Sequence, residues 1–130
     1  MYNPAHFQES RPEVLSAAIA EHPLATLVTS GADGLHASHI PLLYSPLEGV
    51  LRGHMARANP HWRDAVPDCA ALAIFTGPQH YISPNWYPSK HEDGKVVPIW
   101  NYIVVHAHGT LAINEDPQWL LDNVTALARL

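Results

Sequence analysis

The chain is poor in several features that define whole classes of protein. It has a single cysteine, Cys69, so no internal disulfide can form, and none of its apolar stretches approaches the ~20 residues of a membrane-spanning helix. A lone cysteine in an apolar segment fits a reducing compartment, and the amino terminus lacks the pattern of a signal peptide. We therefore expect a cytoplasmic protein rather than a secreted or membrane-embedded one.

Basic residues are scarce as well. Seven Lys and Arg are opposed by 12 Asp and Glu, which gives a net charge of −5. A protein whose whole surface grips nucleic acid carries the opposite balance, so only a local basic patch could contact DNA.

What the chain does contain is enough apolar material for one core. Hydrophobic residues make up 47% of its 130 residues and charged residues 15%, which indicates one folded domain over residues 1–130. The 12 prolines disfavour long uninterrupted helices, and the 10 histidines invite hypotheses about metals or redox cofactors.

Six short segments are typical of β-strands, and a break at Gly77 and Pro78 separates the fourth from the fifth. The segments cover residues 24–30, 35–44, 50–55, 70–76, 80–83 and 97–113. This pattern predicts a mainly β fold, a six-stranded antiparallel barrel with flanking helices.

Two segments are typical of amphipathic helices. Residues 11–21 would form the first, opened by a capping box between Ser10 and Glu13. Residues 116–130 would form the second. Its apolar face would carry Trp119, Leu120, Val124 and Leu127.

The densest chemical signal lies in residues 52–63, which hold three of the seven basic residues. Asn59 followed by Pro60 is typical of a helix start, and Arg57 comes just before it. A helix start beside an arginine fork attracts a phosphate group. The alternative is a solvated basic turn in which Asn59 only caps the helix. His54 lies on the strand that leads into this turn.

Aromatic and histidine clusters are weaker signals. Residues 81–87 together with Trp100 and Tyr102 could form the wall of a flat ligand, or they could be ordinary core or dimer-interface residues. On a strand, His36 and Ser38 share a face while His39 points the opposite way. Residues 106 and 108 form a second histidine pair, but two histidines do not complete a metal site, so no metal is assigned.

Several ordered blocks of residues carry a resemblance to a known family. They are Met1-Tyr-Asn-Pro4 with Phe7, His39-Ile-Pro41, Gly53-His-Met-Ala-Arg-Ala-Asn-Pro60 with Trp62-Arg63, Tyr81-Ile-Ser-Pro84 with Trp86-Tyr-Pro-Ser-Lys90, Val97-Pro98, Trp100-Asn-Tyr102, and Val105-His106 with Gly109. Together they resemble the PaiB-like family of FMN-binding negative transcriptional regulators. The resemblance runs from the first residue to the last helix.

The resemblance implies a split β-barrel of the flavin-reductase and pyridoxamine-phosphate-oxidase type, in which two subunits pair with FMN at their interface. It assigns the phosphate to Arg57 and Asn59, with Lys90 as a second cation. The cofactor-binding residues that it implies are Ser38, His39, His54, Arg57, Asn59, Lys90, Trp100, Asn101 and Tyr102. The last three would line the flavin across the dimer.

This chain departs from the family pattern in places. Ile99 stands where the family more often has threonine, so a polar contact to the ligand is lost there. Family members usually continue past the last helix into another strand, so the C-terminal part of the usual domain is expected to be missing from residues 1–130.

The resemblance implies a dimeric FMN-binding negative transcriptional regulator, with direct DNA contact suggested by the family alone. One alternative is a small FMN-dependent oxidoreductase or flavin reductase, for which His39 and Tyr102 are candidate proton donors. A more distant alternative is a haem-binding split-barrel protein, because one axial histidine is enough to hold haem.

Overall fold

The computed structural model describes residues 1–66, 69–88, 94 and 96–129. The strands are β1 (Leu24–Gly31), β2 (Gly34–Pro41), β3 (Leu43–Ser45), β4 (Val50–Arg52), β5 (Ala70–Ile82) and β6 (Ile99–Thr110). The α-helices are α1 (Pro12–Glu21), α2 (His61–Asp64) and α3 (Pro117–Leu127). Short 3₁₀ turns lie at Ala5–Phe7 and Pro84–Trp86.

The strands form two antiparallel sheets. One has four strands in the order β2-β1-β5-β6, and the other is the β3-β4 hairpin. The β1-β2 hairpin turns at Gly34, whose φ of 128° a residue with a side chain rarely adopts. The predicted mainly β, antiparallel fold with helices is confirmed. The two sheets share no hydrogen-bonded strand pair within the described part of the chain, so the predicted six-stranded barrel is not closed.

The core lies on one face of the four-stranded sheet, beneath α1. Register places Ala25 opposite Phe75 and Leu27 opposite Ala73, so strand alternation turns these side chains to the same side. Ile19 of α1 and Leu42 complete the buried cluster. Phe75 is 1% exposed and is the largest of the fully buried side chains.

The predicted break at Gly77 and Pro78 is wrong. β5 runs through both residues, and the register with β6 shifts between Thr76 and Gln79. A bulge accommodates Pro78, because proline has no N–H to give to the ladder. The predicted fourth and fifth strands are therefore two halves of one strand.

Beyond the bulge, β5 and β6 continue as a two-stranded extension. Gln79 pairs with Tyr102 and Ile82 with Ile99, whereas the pairing of β5 with β1 covers only Ala71 to Phe75. We call this extension, residues 79–82 and 99–102, the arm.

The predicted second strand is also divided. Residues 35–44 form β2 and β3 with an interruption at Leu42, whose buried side chain belongs to the core. The predicted strand over residues 50–55 ends at Arg52.

The helices differ from prediction at their ends and faces. α1 has no side-chain cap from Ser10; instead the Glu9 carboxylate accepts from the backbone N–H groups of Ser10 and Arg11. The Arg11 guanidinium, which also binds Glu9, is the main cause that lowers the pKa of that carboxyl to about 2.

α3 begins at Pro117, one residue after the predicted start. The Asp116 carboxylate caps it by accepting from the backbone N–H of Trp119 at 2.8 Å. The predicted apolar face is confirmed in part: Trp119 and Leu127 are half-buried, but α3 buries Asn123 between them and leaves Leu120 and Val124 exposed. None of the helices in the described residues is long and apolar enough to cross a membrane.

Candidate functional site

A cavity of about 900 Å³ opens between α1, α3 and the core side of the four-stranded sheet. Its floor is apolar, with Leu27 and Ala73 among the lining residues. Its rim carries His54, Arg57 and Trp62. Charged and aromatic groups therefore border an apolar hollow, which is the usual make-up of a small-molecule site.

The segment that brings His54 and Arg57 to the rim is tightly packed at its start. A Cβ on Gly53 would lie 2.5 Å from Leu42 Cδ2 and 2.8 Å from the Pro41 carbonyl oxygen. Only glycine allows the chain leaving β4 to pass this close to the end of β2. The glycine therefore fixes how closely the segment of residues 53–59 passes the end of β2.

Arg57 stands in solvent at the rim. Its side chain is 75% exposed, and Nη1 donates to Glu115 Oε1 at 2.8 Å. The indole Nε1 of Trp62 donates to the Arg57 carbonyl at 3.1 Å, and the guanidinium lies 5.9 Å from the centroid of that ring. Exposed ion pairs contribute at most about 1 kcal/mol, so an anion can replace Glu115 as the partner of Arg57.

A hydrogen-bonded group of four side chains lies directly behind this segment. Asn59 Nδ2 donates to Ser38 Oγ at 3.2 Å, and His61 Nδ1 lies 2.8 Å from the same oxygen. His61 Nε2 lies 2.8 Å from Thr29 Oγ1. We call these four residues, Thr29, Ser38, Asn59 and His61, the polar anchor.

The polar anchor shows which partners Asn59 has within the chain. Asn59 Oδ1 accepts from the backbone N–H of His61 at 3.0 Å, as the capping prediction requires, but α2 has only four residues and begins at His61. Both polar side-chain atoms of Asn59 therefore have partners inside the chain, and its contact with a phosphate stays a prediction.

His61 is the site residue that sequence reasoning missed. It is 2% exposed. Burial lowers its pKa below the usual 6.5, and the nearby His36 lowers it further. The ring is therefore neutral near pH 7. The alternation of β1 and β2 was the available signal, because it turns Thr29 and Ser38 to the face on which residue 61 lands.

The remaining predicted residues lie apart from the polar anchor. His39 points to the opposite face of the sheet, as predicted, where Nδ1 lies 3.0 Å from Thr26 Oγ1. Trp100, Asn101 and Tyr102 lie exposed on the arm, and the cavity-lining residues in the described part of the chain do not include them. Lys90 lies outside the described residues.

The structure thus brings Ser38 and Asn59 together and places His54 and Arg57 on the cavity. The described residues include no group of three or more His, Cys, Asp or Glu side chains that could hold a metal ion. His106 and His108 make a ring contact on β6, as their shared face predicts.

Comparison with known proteins decides the family. Residues 1–130 match the family described as "Putative FMN-binding domain". The chain belongs to this FMN-binding family. FMN is therefore the cofactor of its family, as the resemblance to the PaiB-like family implied.

Proteins from distant organisms match most of the chain. An uncharacterized protein of Saccharomyces cerevisiae is 32% identical over 98% of this chain and 88% of its own length. The protease synthase and sporulation protein PAI 2 of Bacillus subtilis is 32% identical over 91% of this chain and 56% of its own length. An uncharacterized protein of Emericella nidulans is 33% identical over 89% of this chain and 58% of its own length. The chain thus spans little more than half of the last two relatives.

The chemistry of the cavity fits FMN in this family member. Ligand cavities typically measure about 300–1,000 Å³, and this one measures about 900 Å³. Arg57 offers a planar guanidinium fork suited to a phosphate, and His54 stands exposed beside it. Trp62 and Trp119 supply aromatic walls. A bound flavin would supply redox chemistry of its own, and Arg57, His54, Trp62 and Trp119 are the residues that would hold it here.

Proposed function

We propose that this chain is a cytoplasmic FMN-binding protein that works as a homodimer and acts as a negative transcriptional regulator of the PaiB-like type. The observation that carries the FMN part is an exposed arginine on the rim of a cavity of flavin size, immediately before a buried anchor. The regulatory part rests on the family resemblance.

The phosphate of FMN would bind at Arg57. That residue is fixed from behind by the Trp62 indole and by the polar anchor, while its guanidinium stays in solvent. A charge-assisted, bidentate contact with phosphate is stronger than the exposed pair with Glu115 that it would replace. His54 would contact the phosphate or the ribityl chain from the same rim.

The arm supports the homodimer. Trp100 is 55% exposed and Tyr102 is 58% exposed, and neither is covered by another element of the described chain. Large aromatic side chains are enriched in protein interfaces and deliver much of the binding energy there. A second copy that covers the arm would place Trp100, Asn101 and Tyr102 beside the flavin of its partner.

Pairing of this kind also fits the split-barrel architecture that the family resemblance implies. The open four-stranded sheet and the separate β3-β4 hairpin are the parts that such a barrel contains. Lys90, a predicted second phosphate cation, remains part of the proposal.

Titration of the purified protein with FMN tests the binding site. Arg57→Ala should weaken FMN binding by about 10- to 100-fold, because a hydrogen bond to a charged group contributes about 1.5–3 kcal/mol. Arg129→Ala is the matched control, because it removes the same charge at an exposed residue that follows α3 and does not line the cavity. Equal affinity in wild type and Arg57→Ala would rule out the phosphate assignment.

The regulatory role needs a cellular test. Transcript levels should be measured in cells that lack the protein and in cells that carry Arg57→Ala, and both should be compared with wild-type cells. A shared set of raised transcripts supports an FMN-dependent negative regulator. Unchanged transcripts in both strains, together with steady NAD(P)H oxidation by the purified flavoprotein, would instead favour the oxidoreductase.

A further inference from the structure

The neutral ring of His61 links two strands of the sheet to the segment of residues 53–59, which carries Arg57. Its two nitrogens lie 2.8 Å from Thr29 Oγ1 on β1 and 2.8 Å from Ser38 Oγ on β2. Its backbone N–H donates to Asn59 Oδ1, and the Asn59 amide donates back to Ser38. The ring is therefore connected to Asn59 through the backbone and through Ser38.

The protonation state of the ring sets the direction of its two hydrogen bonds and whether a charge is buried. In a neutral imidazole one nitrogen donates and the other accepts, so one of the two hydroxyl protons can point into the ring. In an imidazolium both nitrogens donate. Both hydroxyls must then accept, and neither hydroxyl proton can bond to the ring. A buried charge without a counter-ion is costly in addition.

We propose that the neutral His61 ring positions the segment of residues 53–59, whose Arg57 binds the FMN phosphate. FMN affinity then falls in acid because of a residue that does not touch the cofactor. The inference rests on the proposed binding of phosphate at Arg57. The polar anchor holds Asn59, and a turn joins Asn59 N–H to the Ala56 carbonyl at 2.8 Å, so the two residues enclose Arg57.

The groups that face His61 do not offset its charge. From β2, the His36 ring lies 5.7 Å away between centroids, and Asp33 binds that ring at Nε2 rather than His61. From β1 comes the uncharged Thr29. On α2 itself, Arg63 and Asp64 are exposed. Burial and His36 both lower the pKa of His61, so its protonation belongs to acidic pH.

The test is the FMN dissociation constant of the full chain between about pH 5 and pH 8, measured by flavin fluorescence. The phosphate of FMN itself titrates near pH 6 and weakens binding in every variant, so the comparison between variants carries the result. His61→Asn keeps an amide beside Ser38 and cannot be protonated. At pH 8 its FMN dissociation constant should lie within about threefold of the wild-type value. From pH 8 to pH 5 that constant should rise by a factor at least about three times smaller than in wild type.

His61→Leu removes both ring contacts and should weaken FMN binding about tenfold even at pH 8. Thr29→Val serves if that variant does not fold: it keeps the shape of residue 29, removes one partner of the ring and should weaken binding several-fold. His6→Asn, a change at an exposed histidine, should follow the wild-type pH profile.

A readout without FMN separates the two proposals. Nitrogen NMR of the His61 ring in the unliganded protein should show a neutral tautomer at pH 7 that protonates in acid. If wild type binds FMN and Arg57→Ala does not, but His61→Asn and wild type share one pH profile, the positioning role is overturned and the proposed function stands. If wild type does not bind FMN at any pH, the proposed function fails and this inference fails with it.

Discussion

The polar anchor joins β1 and β2 to the start of α2, whereas the arm extends β5 and β6, and the two regions differ in almost every physical respect. In the polar anchor Thr29 and His61 are buried and the other two residues are half-buried, and all four are linked by hydrogen bonds within one chain. The arm is exposed, with Trp100 bound to Gln79 through its indole N–H at 2.9 Å and in contact with Tyr81. The side chains of the polar anchor find their hydrogen-bond partners within the chain, whereas the arm presents apolar surface to solvent.

The difference shows how this family member can divide binding between two regions. Groups that must be positioned for a phosphate are fixed by interactions inside the subunit, because a rigid segment loses less entropy on binding. In the proposed homodimer, the aromatic groups of the arm remain uncovered until a second copy binds. Changes to the polar anchor should therefore act on the single chain, and changes to the arm should act on association.

The largest expected effect lies in the part of β5 that pairs on both sides. Phe75→Ala should lower the free energy of unfolding by about 3–5 kcal/mol, because it leaves a cavity in the core. Tyr81→Ala, in the arm of the same strand, should lower it by less than about 1 kcal/mol. Urea unfolding at one fixed protein concentration measures both. Equal losses would show that the arm is as firmly packed as the core.

The next effect concerns association. Trp100→Ala should raise the dissociation constant of the proposed homodimer about 30-fold, the change expected when the residue contributes about 1 kcal/mol in each of the two subunits. Leu47→Ala, at an exposed apolar residue of the β3-β4 turn, should leave association unchanged. Sedimentation equilibrium measures both constants. A monomeric wild type, or equal constants for the three proteins, contradicts the role given to the arm.

A smaller effect is expected at a buried group that, unlike the polar anchor, is not satisfied. Asn123 is 5% exposed, and its amide nitrogen and oxygen have no hydrogen-bond partner among the described residues. Asn123→Leu should raise the free energy of unfolding by about 1–3 kcal/mol, because an unpaired buried amide is replaced by an apolar side chain. Gln118→Leu, on the exposed side of α3, should change it by less than about 0.5 kcal/mol. A destabilised Asn123→Leu would indicate that the amide has a partner in solution.

The smallest effect is a pH dependence of stability with two separate windows. Burial is the first cause that lowers the pKa values of both His61 and His106, so the unfolded chain binds more protons below pH 6.5. Their contribution to stability is complete above pH 6.5 and is lost as the pH falls through their lowered values. Glu9, with its pKa lowered to about 2, contributes fully above pH 4.5 and loses its contribution as the pH falls toward 2.

Thermal unfolding across this pH range checks the assignment. His61→Asn and His106→Asn should each flatten the profile in the histidine window and leave the Glu9 window unchanged. His6→Asn should change neither. A wild-type profile that is flat from pH 8 to pH 5 would contradict the burial of both rings.

Much of the fold could be predicted from the sequence because it depends on local periodicity. The β1-β2 hairpin, the shared face of His36 and Ser38, and the opposite orientation of His39 all follow from strand alternation. Errors arose where packing overrode a local rule. Pro78 lies in a bulge rather than ending a strand, and α3 is rotated so that Asn123 is buried in place of Val124.

The sequence by itself determined the family, the antiparallel strands and the basic segment that carries Arg57, because each is written in neighbouring residues. Only the tertiary structure decided which distant groups meet. Thr29 and His61 are 32 residues apart, and Arg57 and Glu115 are 58 apart. Pairing over such distances depends on how helices and sheets pack against a shared core, and no local pattern encodes that packing. Strand alternation places Thr29 and Ser38 on one face, but only the packing of the folded chain brings the His61 ring between them.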